Sequence, residues 1–199
     1  MSIWGLVIAW AMSLLEPDLK RAVREFYSPL RGSDSTPAWL EEVPLFRGLV
    51  RADLVSVPDL HCFEIKSERD RLDRLIGQGV VYSAVFNRVT LVLTPRHLVE
   101  ATALIPDWWG LLVHGEDGLA WQRRPLLNRS PDPGALSSLL SREEAFALLS
   151  TTKAVVTKRA PLYALHEAVA GHVSVSKLRS HLKSVLSARV RDTAPWLPA

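Results

Sequence analysis

Cysteine is almost absent from this chain. Cys62 is the single one in 199 residues, which excludes an internal disulfide and a cysteine-based zinc cluster and fits a reducing cytoplasm. Of six histidines only His166 and His172 stand at a spacing that suits a shared metal, and both read as loop or surface residues. Long apolar runs are missing too. Ile3 to Leu15 is apolar apart from Gly5 and Ser13, but a bilayer-spanning helix needs about 20 such residues. No basic stretch precedes this run and no clear small-residue cleavage site follows it, which argues against a signal peptide. A buried or partner-facing helix is expected there, and Met12 would serve as an alternative start. Internal repeats and low-complexity tracts are absent.

What is present suits a packed protein. Hydrophobic residues make up 48% and charged residues 23%, enough for one domain, or one domain with an appendage. The net charge is +3, unevenly placed. Residues 151–199 carry a net +6 and residues 1–150 a net −3. A basic C-terminal segment beside an acidic remainder suggests a polyanionic partner such as DNA, or simply a solvated helix face.

Pro17-Asp18 opens a helix to about Tyr27, with Leu19, Val23 and Phe26 on one face. Ser28–Pro37 reads as a polar loop. Thr36-Pro37 then predicts a short helix over Ala38–Glu42, ending before Pro44. Val50–Val57 and Leu60–Lys66 predict two strands around a Pro58-Asp59 turn. Ser67, with Asp70 three residues on, predicts a capped helix to about Phe86. A strand at Val89–Thr94 completes a β-α-β crossover. Pro95 opens a helix to about Ile105, and Leu111–His114 with Leu119–Gln122 predict a hairpin. Helices over about Leu136–Leu149, Leu162–Ala170 and Val175–Val190 follow a loop at Leu126–Gly134. The expected class is α/β: a mixed central sheet flanked by helices, ending near residue 125, with a helical C-terminal part. Three segments are expected, an apolar extension (1–17), a core (18–125) and a helical subdomain (126–199).

The hairpin carries the chemistry. With Pro58 and Asp59 as central turn residues, Asp53 faces Glu64, and Glu64 and Lys66 share its sheet face. Opposed carboxylates repel, so one reading puts a divalent cation between them, and hard oxygen ligands suit Mg²⁺ or Mn²⁺. The plainer reading is salt bridging to Arg51 and Lys66 across the hairpin. Gln78 and Tyr82, four apart, share one face of the following helix.

Asp53, Glu64 and Lys66 resemble the Asp…Glu-x-Lys core of the PD-(D/E)XK nuclease superfamily, and Gln78 with Tyr82 resembles the Gln-x-x-x-Tyr motif of its RecB-like branch. Glu64–Asp70, Tyr82–Val92, Ile105–Gly110 and Arg142–Ala145 are similar to a sparsely characterised bacterial and phage group, the sce-prefixed family of predicted PD-(D/E)XK proteins. The similarity runs over roughly residues 18–190. Gly77 and Gly79, flanking Gln78, depart from a good helix.

The resemblance implies a restriction-endonuclease-like core and a Mg²⁺- or Mn²⁺-dependent deoxyribonuclease, acting in DNA repair, recombination or defence. It implies Asp53, Glu64 and Lys66 as catalytic residues, with Glu42, Asp53, Glu64 and the Ile65 carbonyl as metal ligands. Arg51, Gln78 and Tyr82 would support the site or touch DNA. The competing expectation is a non-catalytic DNA-binding or regulatory protein, using that fold or a C-terminal helix-turn-helix with Lys177, Arg179 and Lys183 toward phosphates. Trp108 and Trp109 read as packing residues. DNA is the expected partner, no membrane span is expected, and the apolar start leaves room for a homodimer.

Overall fold

The computed structural model describes residues 15–27, 38–157 and 159–191. The apolar start through Leu14, the 28–37 loop with its Thr36-Pro37 cap, and Lys158 lie outside the described residues. Helix α1 (Glu16–Tyr27) precedes strands β1 (Trp39–Leu45), β2 (Val50–Ser56) and β3 (His61–Lys66). Helix α2 (Leu75–Val85) leads to β4 (Arg88–Leu93), and α3 (Leu98–Leu104) to the hairpin β5 (Gly110–Gly115) and β6 (Gly118–Arg123). Helices α4 (Pro133–Ser137), α5 (Arg142–Leu149), α6 (Leu162–His172) and α7 (Val175–Arg191) follow.

The six strands form one sheet in sequence order. Strand β2 is antiparallel to both β1 and β3, β3 to β5 run parallel, and β6 returns antiparallel. The two parallel steps require crossovers, which α2 and α3 supply. Every residue of β3 is buried, as befits a strand covered on both faces. One face carries Cys62 and packs on α2 and the C-terminal helices; the other carries Phe63 and Ile65 and packs on α1 through Leu19 and Val23. Helix α7 inserts Leu178, Leu182 and Leu186, a repeat of four, into the larger cluster. The mixed α/β class, with helices on both faces and a helical C-terminal part, agrees with the sequence expectation. No described helix is long and apolar enough to cross a membrane.

Three local expectations fail, the first being the single helix over Leu136–Leu149, which is instead the separate α4 and α5, the second one started afresh by the Ser141–Glu144 capping box. Residues 39–45 form an edge strand where a short helix was expected. Their pairing with β2, Trp39 opposite Ser56 through Leu45 opposite Val50, outweighs the helical turn that the Thr36-Pro37 signal favours. The Ser67–Asp70 cap forms, with the Ser67 amide and hydroxyl donating to Asp70 Oδ2 at 2.7 and 2.6 Å. It closes a turn, and the helix begins only at Leu75.

Gly110 opens β5 where the chain passes closest to its neighbours. A Cβ there would lie 2.6 Å from Thr90 Oγ1 and 2.9 Å from Pro125 Cδ. Thr90 cannot move freely, because its hydroxyl lies 2.7 Å from Nε2 of buried His61. Gly110→Ala is expected to destabilise the fold by about 1–3 kcal/mol through overpacking, read as a lower urea midpoint at unchanged m value.

Candidate functional site

Strands β2 and β3 pair only from Ser56–His61 to Leu54–Phe63. Beyond that point β2 stays with β1 and β3 stays with β4, so the two strands part. The same register carried one step further sets Asp53 opposite Glu64, as the turn chemistry predicted. Parting strands leave backbone groups to satisfy. Asp53 Oδ2 accepts the Ile65 amide at 2.7 Å, and the Arg51 carbonyl lies 2.6 Å from the Tyr82 hydroxyl. The gap is a cleft of about 540 Å³ lined by residues of β2, β3, α2 and the start of α1.

Glu64, Lys66, Gln78 and Tyr82 meet at its floor. Lys66 Nζ donates to Glu64 Oε1 at 2.5 Å and reaches Gln78 Oε1 at 3.4 Å. Tyr82 Oη lies 2.6 Å from Glu64 Oε2 and also takes Gln78 Nε2 at 3.4 Å. Its one proton is shared between Glu64 and the Arg51 carbonyl. The Glu64 and Lys66 side chains are 1% and 7% exposed, so this is an interior ion pair with both carboxylate oxygens engaged. Burial, then the neighbouring Cys62 and Glu64, push the Tyr82 phenol far above its usual range. Burial raises the Cys62 thiol as well. Arg51 is exposed on the cleft rim.

Among the described residues, Glu16, Glu42 and Asp53 form a group of three acids, each offering an oxygen within 4.8 Å of the others. Glu42 stands opposite Asp53 in the β1–β2 register and has φ +50°, a left-handed backbone that turns it out of the regular ladder. An ammonium already lies among these acids. Lys20 Nζ is 2.6 Å from Glu16 Oε1 and 2.5 Å from Glu42 Oε1. Burial pulls this amine down, but the hydrogen bonds and charges of Glu16 and Glu42 outweigh it and hold it above its ordinary range. Arg24 pairs with Glu41 alongside. Glu16 and Glu42 therefore already hold an internal ammonium, and a divalent ion there would compete with Lys20. Sequence reading missed Glu16 and Lys20; their one signal was the i,i+4 acid–base spacing.

The C-terminal residues separate differently. Lys177 is exposed and Lys183 half-buried, whereas Arg179 turns inward and donates to the Asn128 carbonyl at 3.2 Å. Arg179 thus stands away from the outer face expected for it, because Asn128 lies on the loop that α7 packs against. His166 and His172 sit on α6, and each ring faces a backbone carbonyl, of Leu140 and Ala168. Trp109 is fully buried against Tyr82.

The family of the chain follows from residues 11–196, which match the family model for bacteriophage P4 protein cII. The chain belongs to that family. Protein cII of Enterobacteria phage P4 is 31% identical over 100 residues, covering 50% of this chain. The matched stretch is 38% of that relative's own length. No solved structure matches. This membership corrects the PD-(D/E)XK and sce-prefixed assignment, and with it the reading as a DNA-hydrolysing enzyme of repair, recombination or defence. The Asp…Glu-x-Lys and Gln-x-x-x-Tyr spacings are present, but short patterns of this kind arise in unrelated chains. In this chain the Glu64 and Lys66 charges neutralise each other.

Two outcomes follow for the cleft. Lys66→Met leaves Glu64 buried without its counter-charge and is expected to cost about 3–5 kcal/mol, while Glu64→Leu/Lys66→Met recovers part of that loss in urea unfolding. Burial and the Glu64 charge push the Asp53 carboxyl from 3.8 up to about 8. The folded chain therefore holds a proton that the unfolded chain has released between these values, and stability falls as pH rises through the window. Asp53→Asn is expected to flatten this decline, so its advantage in melting temperature grows from about pH 4 to pH 8.

Proposed function

We propose that this chain is a non-catalytic DNA-binding regulatory protein that contacts the phosphate backbone through the outer face of α7. The observation that carries the reading is the composition of that face. Helix α7 has 17 residues, about 25 Å of length, and its sequence contains no aspartate or glutamate. Its leucines point inward, leaving Ser176, Lys177, Ser180 and Ser184 exposed, with Lys183 beside them. Short hydroxyl donors between lysines permit close approach to phosphate oxygens. Lys177 Nζ also donates to Thr151 Oγ1 at 3.0 Å, which brings the segment with exposed Lys153 against the start of this face. Only two residues separate α6 from α7, a short connection that supports a helix-turn-helix reading, and the buried leucines set which face of α7 is outward.

The polar floor of the cleft supports the non-catalytic half of the proposal. Its lysine is held by a buried carboxylate, and that carboxylate is held again by a tyrosine. Within this reading Mg²⁺ or Mn²⁺ is a competitor of Lys20 at Glu16, Glu42 and Asp53, and not a reactant.

Fluorescence anisotropy of a labelled duplex across a salt series tests the proposal. Binding is expected to weaken linearly in log–log form. Lys177→Ala and Lys183→Ala should each reduce the slope by about 1, and the duplex should stay intact with Mn²⁺ present. An unchanged slope in both variants, or cleavage of the strand, rejects the reading.

A further inference from the structure

The cleft between β2, β3 and α2 has a charge pattern that the DNA-binding face does not use. Four of its acids have a side-chain donor: Glu16 has Lys20, Glu64 has Lys66, Asp73 has Arg71, and Asp70 has the Ser67 hydroxyl. Asp53 gives one oxygen to the Ile65 amide. Its arginines are not matched. Arg51 and Arg74 both line the cleft, both are exposed, and among the described residues neither guanidinium has an ion pair or a side-chain hydrogen bond. Two free forks on one cavity are suited to an oxyanion, and guanidinium binds phosphate in bidentate fashion.

Part of the rim beside these arginines is apolar: Leu49 and Val50 line it. Leu49 is 86% exposed at the rim. Gly48 and Gly77 line the same space, and a Cβ on either would meet nothing within 4 Å. Missing side chains let a flat group approach backbone closely. The volume of about 540 Å³ lies in the range of small-ligand sites.

We propose that this cleft is an effector site for a small phosphate monoester with a planar apolar body, of the nucleoside monophosphate class, held by Arg51 and Arg74 without a metal ion. The proposal rests on the non-catalytic reading only in that the ligand is bound and left unchanged. The same chemistry could come from the 5′-phosphate at a DNA end, and the experiment separates the two sources.

Isothermal titration of the full chain with adenosine 5′-monophosphate in EDTA, beside adenosine, is the test. Submillimolar binding of the monophosphate and none of adenosine is expected. Arg51→Ala and Arg74→Ala should each weaken it roughly tenfold to hundredfold, with unchanged thermal midpoints, as both side chains are exposed. A 5′-phosphorylated blunt duplex should not displace the ligand. Lys177→Ala/Lys183→Ala should lose DNA binding and keep the monophosphate, so either proposal can fail without the other. Absence of binding, wild-type affinity in both arginine variants, or displacement by the duplex overturns the inference.

Discussion

The parting of β2 from β3 after the Leu54–Phe63 pair is the constraint from which the rest of the cleft follows. A sheet strand that leaves its neighbour abandons amides and carbonyls, and buried ones cost about 1–3 kcal/mol each when unmet. Side chains meet them here. Asp53 takes the Ile65 amide and Tyr82 serves the Arg51 carbonyl. Those two tasks place a carboxyl and a phenol beside Glu64, and Glu64 in turn needs Lys66. The polar floor is thus largely the completion of a backbone ladder by side chains. That origin explains how a chain can bear the spacing of a hydrolytic site and use it to hold two strands apart.

Helix α1 belongs to the same arrangement. Its Lys20 enters an acidic corner formed by Glu16, Glu41 and Glu42. The left-handed backbone at Glu42 turns that carboxylate toward the lysine. Such a backbone costs of order 1–3 kcal/mol and persists only where the surroundings fix it. The pairing with Lys20 is one such fixing contact, since it joins α1 to the edge strand across an otherwise repulsive group of acids.

Much of this was legible in the sequence, for reasons tied to particular residues. Pro58-Asp59 set the hairpin register, so the Asp53–Glu64 opposition could be read before any coordinates. The four-residue spacing of Gln78 and Tyr82 put both toward the Glu64–Lys66 pair, Gln78 on the lysine and Tyr82 on the glutamate. Strand β1 was not legible, because Trp39–Leu45 is an edge strand whose identity comes from its partner, and local helix signals at Thr36-Pro37 pointed the other way. The Glu16–Lys20 contribution was hidden for a similar reason: helix α1 docks on the sheet from outside the hairpin, and no spacing rule links it to Glu42. The inward turn of Arg179 depended on where the Asn128 loop runs, a tertiary fact.

The assignment of family shows where pattern and chemistry diverge. Motif spacing constrains which side chains can touch, and in this chain those residues do touch. It does not constrain what charges remain free once they have touched. Counting the unmatched groups gives a different answer from counting the motif residues. Asp53, Glu64 and Lys66 are largely engaged with one another and with backbone, whereas Arg51, Arg74, Lys177 and Lys183, none of them in the carboxylate motif, carry positive charge toward solvent. A molecule recognised by this protein meets the second set first. Arg51, Arg74 and Lys177 are thus left open to solvent, while Glu64 is withdrawn behind Lys66.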